Sequence, residues 1–480
     1  MDALRKSLRT GAVLTVLATS VPFLGADLAP VGAASLAATT VVVTPATMAR
    51  AAFDRMTFAQ RIGQLFMVGG PVTGLGSSTV SAISRYHVGN LILTGRTTAG
   101  APPVRALTSS ADALTTAAAT AAVPLFIATD QEGGYVQVLQ GPGFSRMPTA
   151  LVQGGWPDAT LTSYAAAWGR QVARAGVDVN LAPVMDTVSA SSASNNAPIG
   201  RYSREYGYTP TVVADKGTAF LKGMRSAGLA VTAKHFPGLG RVTGNTDVTA
   251  GVTDTVTTST SADLVPFRAA VASGAGLLMV SSAIYSRIDP RQPAVFSHAV
   301  ITGMIRQGLR FGGVVVSDDL GNAAQVRAWS PGARAVNFIS AGGDLVLTVN
   351  PQVIPAMVAA VAARASTNSA FRAQVNAAVL RVLVLKATEG LLAPRLAVTG
   401  VLNATTVVAL QRWLSVTRTG RLDTVTVRAL QQRIGTIADG LWGPASTAAL
   451  QSYLGTYRDG ARTWNTRIVS LLQRYLNTQL

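Results

Sequence analysis

Gly228-Leu229-Ala230-Val231-Thr232-Ala233-Lys234-His235-Phe236-Pro237-Gly238-Leu239-Gly240 starts as an unbroken apolar run and ends in a cation, an imidazole and a glycine-rich turn. An apolar run of this length with no polar alternation reads as a strand buried on both faces. A buried strand carries charge at one end only if that end opens on a solvated cleft. In folds that alternate strands and helices, active sites are built at such ends.

The same pattern recurs along the chain. Short apolar runs fall at Ile62–Val68, Val88–Leu93, Pro124–Thr129, Val177–Pro183, Leu229–Ala233, Gly276–Ser281, Gly313–Ser317 and Gly343–Thr348. Most are separated by helical stretches rich in Ala, Leu and Arg. Polar residues follow almost every run: Asp130-Gln131-Glu132-Gly133-Gly134 after the third, Asp186 after the fourth, Lys234 and His235 after the fifth, Ser281 and Ser282 after the sixth, Asp318-Asp319 after the seventh. Eight such units predict an α/β fold of the (β/α)8 TIM-barrel type, with the polar ends gathered on one face. A doubly wound open sheet is the alternative, because periodicity does not report closure.

The chain of 480 residues has room for one such domain and a smaller one. Residues 1–36 combine Arg5, Lys6 and Arg9 with the apolar run Gly11–Ala18 and then small residues, the pattern of a signal peptide. The apolar run is too short for a membrane anchor and is followed by Pro22. The expectation is therefore an exported protein with no transmembrane segment after cleavage. There is no cysteine, which excludes disulfides, thiolate catalysis and cysteine metal sites. The net charge of +18 is not organised into any nucleic-acid motif. It suits attraction to an anionic cell envelope, or a solvated surface with no further use.

Residues 37–394 hold the barrel pattern, and the character changes near Leu392-Ala393-Pro394. In residues 395–480, Gly400, Gly420, Gly440 and Gly460 recur every twenty residues. Leu410-Gln411, Leu430-Gln431, Leu450-Gln451 and Leu472-Gln473 recur at nearly the same spacing. A fixed period of turn, loop and helix predicts a small all-α repeat domain. Asp439 through Gln451 resembles the repeat of peptidoglycan-binding modules, which implies peptidoglycan as the partner of this tail. A helical appendage that only packs against the barrel is the alternative.

Five stretches in order, including Met56–Phe66, Asp130–Gly134, Leu181–Asp186, Lys234–Gly238 and Phe311–Leu320, resemble the family 3 glycoside hydrolases, and specifically their β-N-acetylglucosaminidase branch. The resemblance covers roughly residues 50 to 350. It implies a retaining hydrolase with Asp318 as nucleophile, in a reaction where a second group protonates the leaving oxygen. It implies substrate-binding roles for Asp130, Asp186, Lys234 and His235. It also implies such a role for one of Arg201 and Arg204, without deciding between them. Asp319 reads as a helix N-cap after the strand.

The resemblance also has gaps. That branch usually carries Asp-x-His on the following loop as its acid/base dyad, where this chain reads Asn245-Thr246-Asp247. The usual second His of the glycine block is Leu239, and Tyr135 and Val138 stand where arginines are common. The only histidines are His87, His235 and His298. Asp247 is then the candidate acid, since a carboxyl with a raised pKa can donate a proton; a turn-stabilising Asp is the alternative.

The expectation is a secreted, cell-wall-associated β-N-acetylhexosaminidase acting on a glycan or muropeptide, without metal or cofactor and without nucleic-acid partners. A β-glucosidase of the same family is one alternative, although such enzymes usually take their acid/base from a further domain. A catalytically inactive wall-binding protein is the other.

Overall fold

The computed structural model describes residues 44–392, 396–414 and 416–479. The predicted export segment lies outside them. No described helix is long and apolar enough to cross a membrane.

All eight predicted strands form: β1 Phe66–Pro71, β2 Asn90–Thr94, β3 Phe126–Thr129, β4 Val179–Asn180, β5 Ala230–Phe236, β6 Leu277–Val280, β7 Val314–Ser317 and β8 Val346–Thr348. They build one parallel sheet in the order β7-β6-β5-β4-β3-β2-β1-β8. The two end strands also approach each other. Val316 bridges Leu345, and Ser317 N donates to Leu345 O at 3.0 Å. The sheet is thus nearly closed, a TIM-type α/β architecture, and the open-sheet alternative falls. Helices lie between successive strands, as in Ser77–Tyr86, Ala101–Asp112, Asp158–Arg174 and Pro210–Ser226.

Strand alternation divides the apolar residues into two layers. Met67, Ile92, Phe126, Ala128, Val179, Ala230, Leu277, Met279, Val314 and Val316 fill the barrel. Phe66, Val68, Leu91, Ile127, Val231, Ala233, Leu278 and Val315 pack outward against the helices. In β5 this parity sends Ala230, Thr232 and Lys234 to the same side, so the ammonium points into the barrel mouth.

Two boundaries differ from expectation. The first strand starts at Phe66 rather than Ile62, because Thr57 and Gln60 form a capping box that commits Phe58–Gly63 to helix. β5 runs past Ala233 to Phe236, since the backbone there still finds partners: Lys234 N donates to Pro183 O at 3.2 Å and Ser281 N to Phe236 O at 2.8 Å. Lys234 and His235 therefore sit on the strand rather than on the loop after it.

At the other end of the barrel, Lys386 is fully buried in the last barrel helix, Ser369–Thr388. Its three donors meet Gln64 Oε1 at 2.9 Å, Gly89 O at 2.8 Å and Pro124 O at 2.8 Å. One side chain thus ties together the entries of β1, β2 and β3.

The tail contains the predicted helices: Ala404–Trp413, Thr424–Arg433, Pro444–Tyr453 and Thr466–Gln479. Gly400, Gly420, Gly440 and Gly460 take φ values of 72°, 69°, 82° and 75°, the left-handed turn that glycine tolerates without strain. Leu410, Leu430, Leu450, Ile468, Leu472 and Leu476 share one small core. The buried glutamines show why the period is kept. Gln411 Oε1 accepts from Gly420 N at 2.9 Å, and Gln431 Oε1 from Gly440 N at 2.8 Å. Gln473 returns to the first loop and accepts from Gly400 N at 3.0 Å. Each helix thereby holds the next loop, and the last holds the first, so the four units form a ring.

Candidate active site

The strand ends surround a cleft of about 430 Å³, lined among others by Asp130, Arg204, Lys234, His235, Asn245, Asp247, Asp318, Asp319 and Asn322. That size is ordinary for a small-molecule site.

Its floor is a charge network. Lys234 Nζ lies 2.5 Å from Asp130 Oδ1 and 2.6 Å from Glu132 Oε1. Arg204 grips Glu132 with two parallel bonds, Nε to Oε2 at 2.9 Å and Nη2 to Oε1 at 2.8 Å. Burial opposes the charge on Glu132, but Arg204 and Lys234 outweigh it and hold the carboxyl down at about 2. Burial likewise works against charged Lys234, and Asp130 and Glu132 reverse it, so its pKa rises. The floor is ionised on both sides. Asp130 keeps 27% of its side chain exposed, which leaves it acceptor capacity toward a ligand.

His235 is oriented from behind. Its Nδ1 is 2.7 Å from Asp186 Oδ2, while Asp186 Oδ1 accepts from Leu239 N at 2.7 Å. Asp186 is wholly buried and does not line the cleft. The expected substrate contact is thus corrected to a positioning role, because the imidazole stands between this carboxylate and the cavity. Gly240 closes this turn: a Cβ there would lie 1.7 Å from Thr187 O.

Only one of the two arginines reaches the cleft. Arg204 lines the cleft, whereas Arg201 is exposed and lines no part of it. Arg201 lies on the short helical turn Gly200–Tyr202, which directs it to solvent.

Asp318 follows β7, and its backbone N–H donates to Val280 O at 3.1 Å. Asp319 caps a turn rather than a helix start, with Oδ1 taking Gly321 N and Val349 N and Oδ2 taking Asn322 N, at 2.9, 3.0 and 2.9 Å. The loop that carries Asp247 is docked on the loop after β7. Ala324 N donates to Asp247 O at 3.0 Å, Gln325 N to Thr246 O at 3.1 Å, and the Gln325 side chain pairs with both backbone groups of Val252. This docking, rather than sequence proximity, brings Asp247 to the cleft that Asp318 lines.

Both carboxyls have raised pKa values. Burial raises Asp318, and the Asp247 charge adds to it, while His235 and Lys234 act in the opposite sense. Asp247 retains contact with solvent, yet the crowded cleft wall and the Asp319 charge raise it too. Two close carboxyls share protons most readily when one is ionised and the other neutral. Lys234 and His235 favour the Asp318 anion, and His235 and Arg204 act in the same sense on Asp247.

His87 and His298 do not line the cleft; His87 Nδ1 meets Ala119 O at 2.7 Å. Glu132 is the functional residue that sequence reasoning left unassigned. Its position two residues beyond Asp130 in an extended segment was the available signal. No group of three or more potential metal ligands occurs among the described residues.

Residues 57–385 match the family model for the glycosyl hydrolase family 3 N terminal domain. The chain is 38% identical over 256 residues to a beta-hexosaminidase of Xylella fastidiosa strain 9a5c, covering 52% of this chain and 73% of that protein. It is 36% identical over 255 residues to one from Stenotrophomonas maltophilia K279a, covering 52% and 73%. Among solved structures, the beta-N-acetylhexosaminidase of Beutenbergia cavernae is 48% identical with a TM-score of 0.68, over 70% of this chain and 99% of that one. The family 3 beta-N-acetylglucosaminidase of Paenibacillus sp. FPU-7 is 30% identical with a TM-score of 0.63, over 71% and 64%.

Proposed function

Because the chain belongs to glycosyl hydrolase family 3, we propose that it is a retaining β-N-acetylhexosaminidase that releases N-acetylglucosamine from cell-wall-derived glycans. It is a glycoside hydrolase, so the alternative of an inactive wall-binding barrel is set aside.

The observation that carries the mechanism is that Asp318 and Asp247 line one cleft above the Lys234–His235 floor. In the first step the Asp318 carboxylate attacks the anomeric carbon, the bond to the leaving oxygen breaks, and Asp247 gives that oxygen its proton. In the second step water attacks the glycosyl-aspartate ester and returns a proton to Asp247. Asp130, Arg204, Lys234 and His235 hold the hydroxyls of the sugar that is transferred to Asp318.

Export by the N-terminal segment and retention by the tail place the enzyme at the wall. The repeat pattern and the charge of +18 support this.

The test is hydrolysis of aryl N-acetyl-β-glucosaminide and aryl β-glucoside beside an Asp318→Asn variant. Turnover of the acetamido sugar alone, lost in the variant, is expected. Preference for the glucoside would replace this reading with the β-glucosidase one. Undiminished turnover by the variant would remove Asp318 as nucleophile.

A further inference from the structure

Two large aromatic side chains stand exposed on loops that also supply cleft-lining residues: Tyr135 is 62% exposed and Tyr202 43%. They belong to different loops. Tyr135 forms the turn of the small hairpin Gln131–Gly133 with Val136–Gln137 after β3, and Tyr202 ends the helical turn Gly200–Tyr202 after β4. Their rings meet edge to face, with centroids 5.8 Å apart and planes at 66°. Each is a near neighbour in sequence of a cleft-lining residue, Val136 and Arg204 respectively.

The hairpin turn is held in place. Gly134 N donates to Met147 O at 2.9 Å, and the Arg96 guanidinium donates to Tyr135 O. The loop of Tyr202 is tied through Leu151 N to Ser203 O at 3.3 Å. Each ring offers a large apolar face, held by its loop in a fixed position, with a polar tip left to water.

We propose that Tyr135 and Tyr202 form the stacking platform for the second sugar ring of the substrate. The proposal rests on the hexosaminidase reading and deepens it. Lys234 and His235 are buried and close the floor, so a glycan enters end-on and its next ring lies at the rim. A pyranose presents a face of C–H groups, which suits an aromatic surface, while its hydroxyls remain in water. The platform makes the enzyme selective for a glycan of at least two linked rings over small leaving groups.

The test compares a β-1,4-linked N-acetylglucosamine disaccharide with N-acetylglucosaminyl fluoride, which has no second ring. In the double variant Tyr135→Ala/Tyr202→Ala, kcat/KM for the disaccharide should fall about tenfold, carried by KM, with less than about twofold change for the fluoride. The double Phe variant keeps the rings and should restore the disaccharide value. Equal losses on both substrates, or no loss on the disaccharide, would overturn the platform. Calorimetry of the disaccharide on an Asp318→Asn background reads the platform without turnover. Binding that weakens with the alanine pair, in a protein whose wild type hydrolyses neither substrate, would overturn the functional reading and leave the platform standing.

Discussion

Glu132 Oε1 lies 2.6 Å from Lys234 Nζ, with both side chains almost completely buried. A pair removed from water in this way is costly to break, because the surviving charges keep their desolvation and lose their partner. Glu132→Gln leaves Arg204 and Lys234 facing a neutral amide. We expect a loss of about 3–5 kcal/mol in denaturant unfolding at neutral pH. The folded carboxyl titrates at about 2, below its ordinary 4.5. Its contribution is therefore full above about 4.5 and is lost as pH falls toward about 2. The gap between wild type and variant should close over that window, and a gap independent of pH would show that the charge of Glu132 is not what stabilises the mouth.

Replacing Asp247 should distinguish an acid from a turn residue. Proton donation matters most when the leaving group is a poor one. Asp247→Ala should slow an alkyl or unactivated aryl glycoside by about 10²- to 10⁴-fold, and a dinitrophenyl glycoside far less. Equal loss on both, with unchanged folding, would return Asp247 to a structural role alongside its backbone bonds to Ala324.

The pH profile carries the same information with a definite sign. Asp247 has to be protonated to donate, and its pKa is raised by desolvation at the crowded cleft wall and by Asp319. Asp318 has to be ionised to attack. Activity should therefore be bell-shaped, falling on the acid side as the pair takes up its last proton and on the basic side as it loses the shared one. The two limbs belong to the pair and not to either residue alone. With an activated aryl glycoside, Asp247→Asn should lose the basic limb while keeping the acid one. Persistence of the basic limb in that variant would assign it to another group.

The parts legible in the sequence were those written by local pattern. Buried strands announce themselves as apolar runs, and the polar residues after them mark the open face, so the barrel and the cleft residues Asp130, Lys234, His235 and Asp318 were available. Boundaries were less so, since a side-chain cap at Thr57 and late backbone pairing at Phe236 are settled by three-dimensional partners. Arg201 and Arg204 are three residues apart and equally basic, and only the position of Glu132 separates them. Asp186 has the polarity of a ligand-binding residue, but its depth behind His235 is a packing fact. The ring closure of the tail was hidden for another reason. A period of twenty residues predicts neighbours in a row and says nothing about whether the last meets the first.

That closure gives the final prediction. Gln473 Oε1 accepts from Thr399 N at 2.9 Å and Gly400 N at 3.0 Å, while Nε2 donates to Val401 O at 3.0 Å and Thr406 Oγ1 at 2.9 Å. Gln473→Ala removes these bonds, and a further one from Nε2 to Thr399 Oγ1 at 3.3 Å, and strands the buried Gly400 N–H, at a cost of about 1–3 kcal/mol for each buried group left without a partner. Hydrogen exchange should accelerate at residues 399–406 first, because the other three glutamines still hold their own loops. Retention of the full chain on insoluble peptidoglycan should fall, while hydrolysis of a soluble aryl glycoside stays near wild type, since the tail meets the barrel where Arg412 donates to Gly390 O, just beyond the Lys386 helix, and the cleft lies at the other end of the strands. Unchanged exchange at 399–406 would mean that the ring is open in solution. Full retention on peptidoglycan with the first loop unprotected would move the wall contact away from the intact ring.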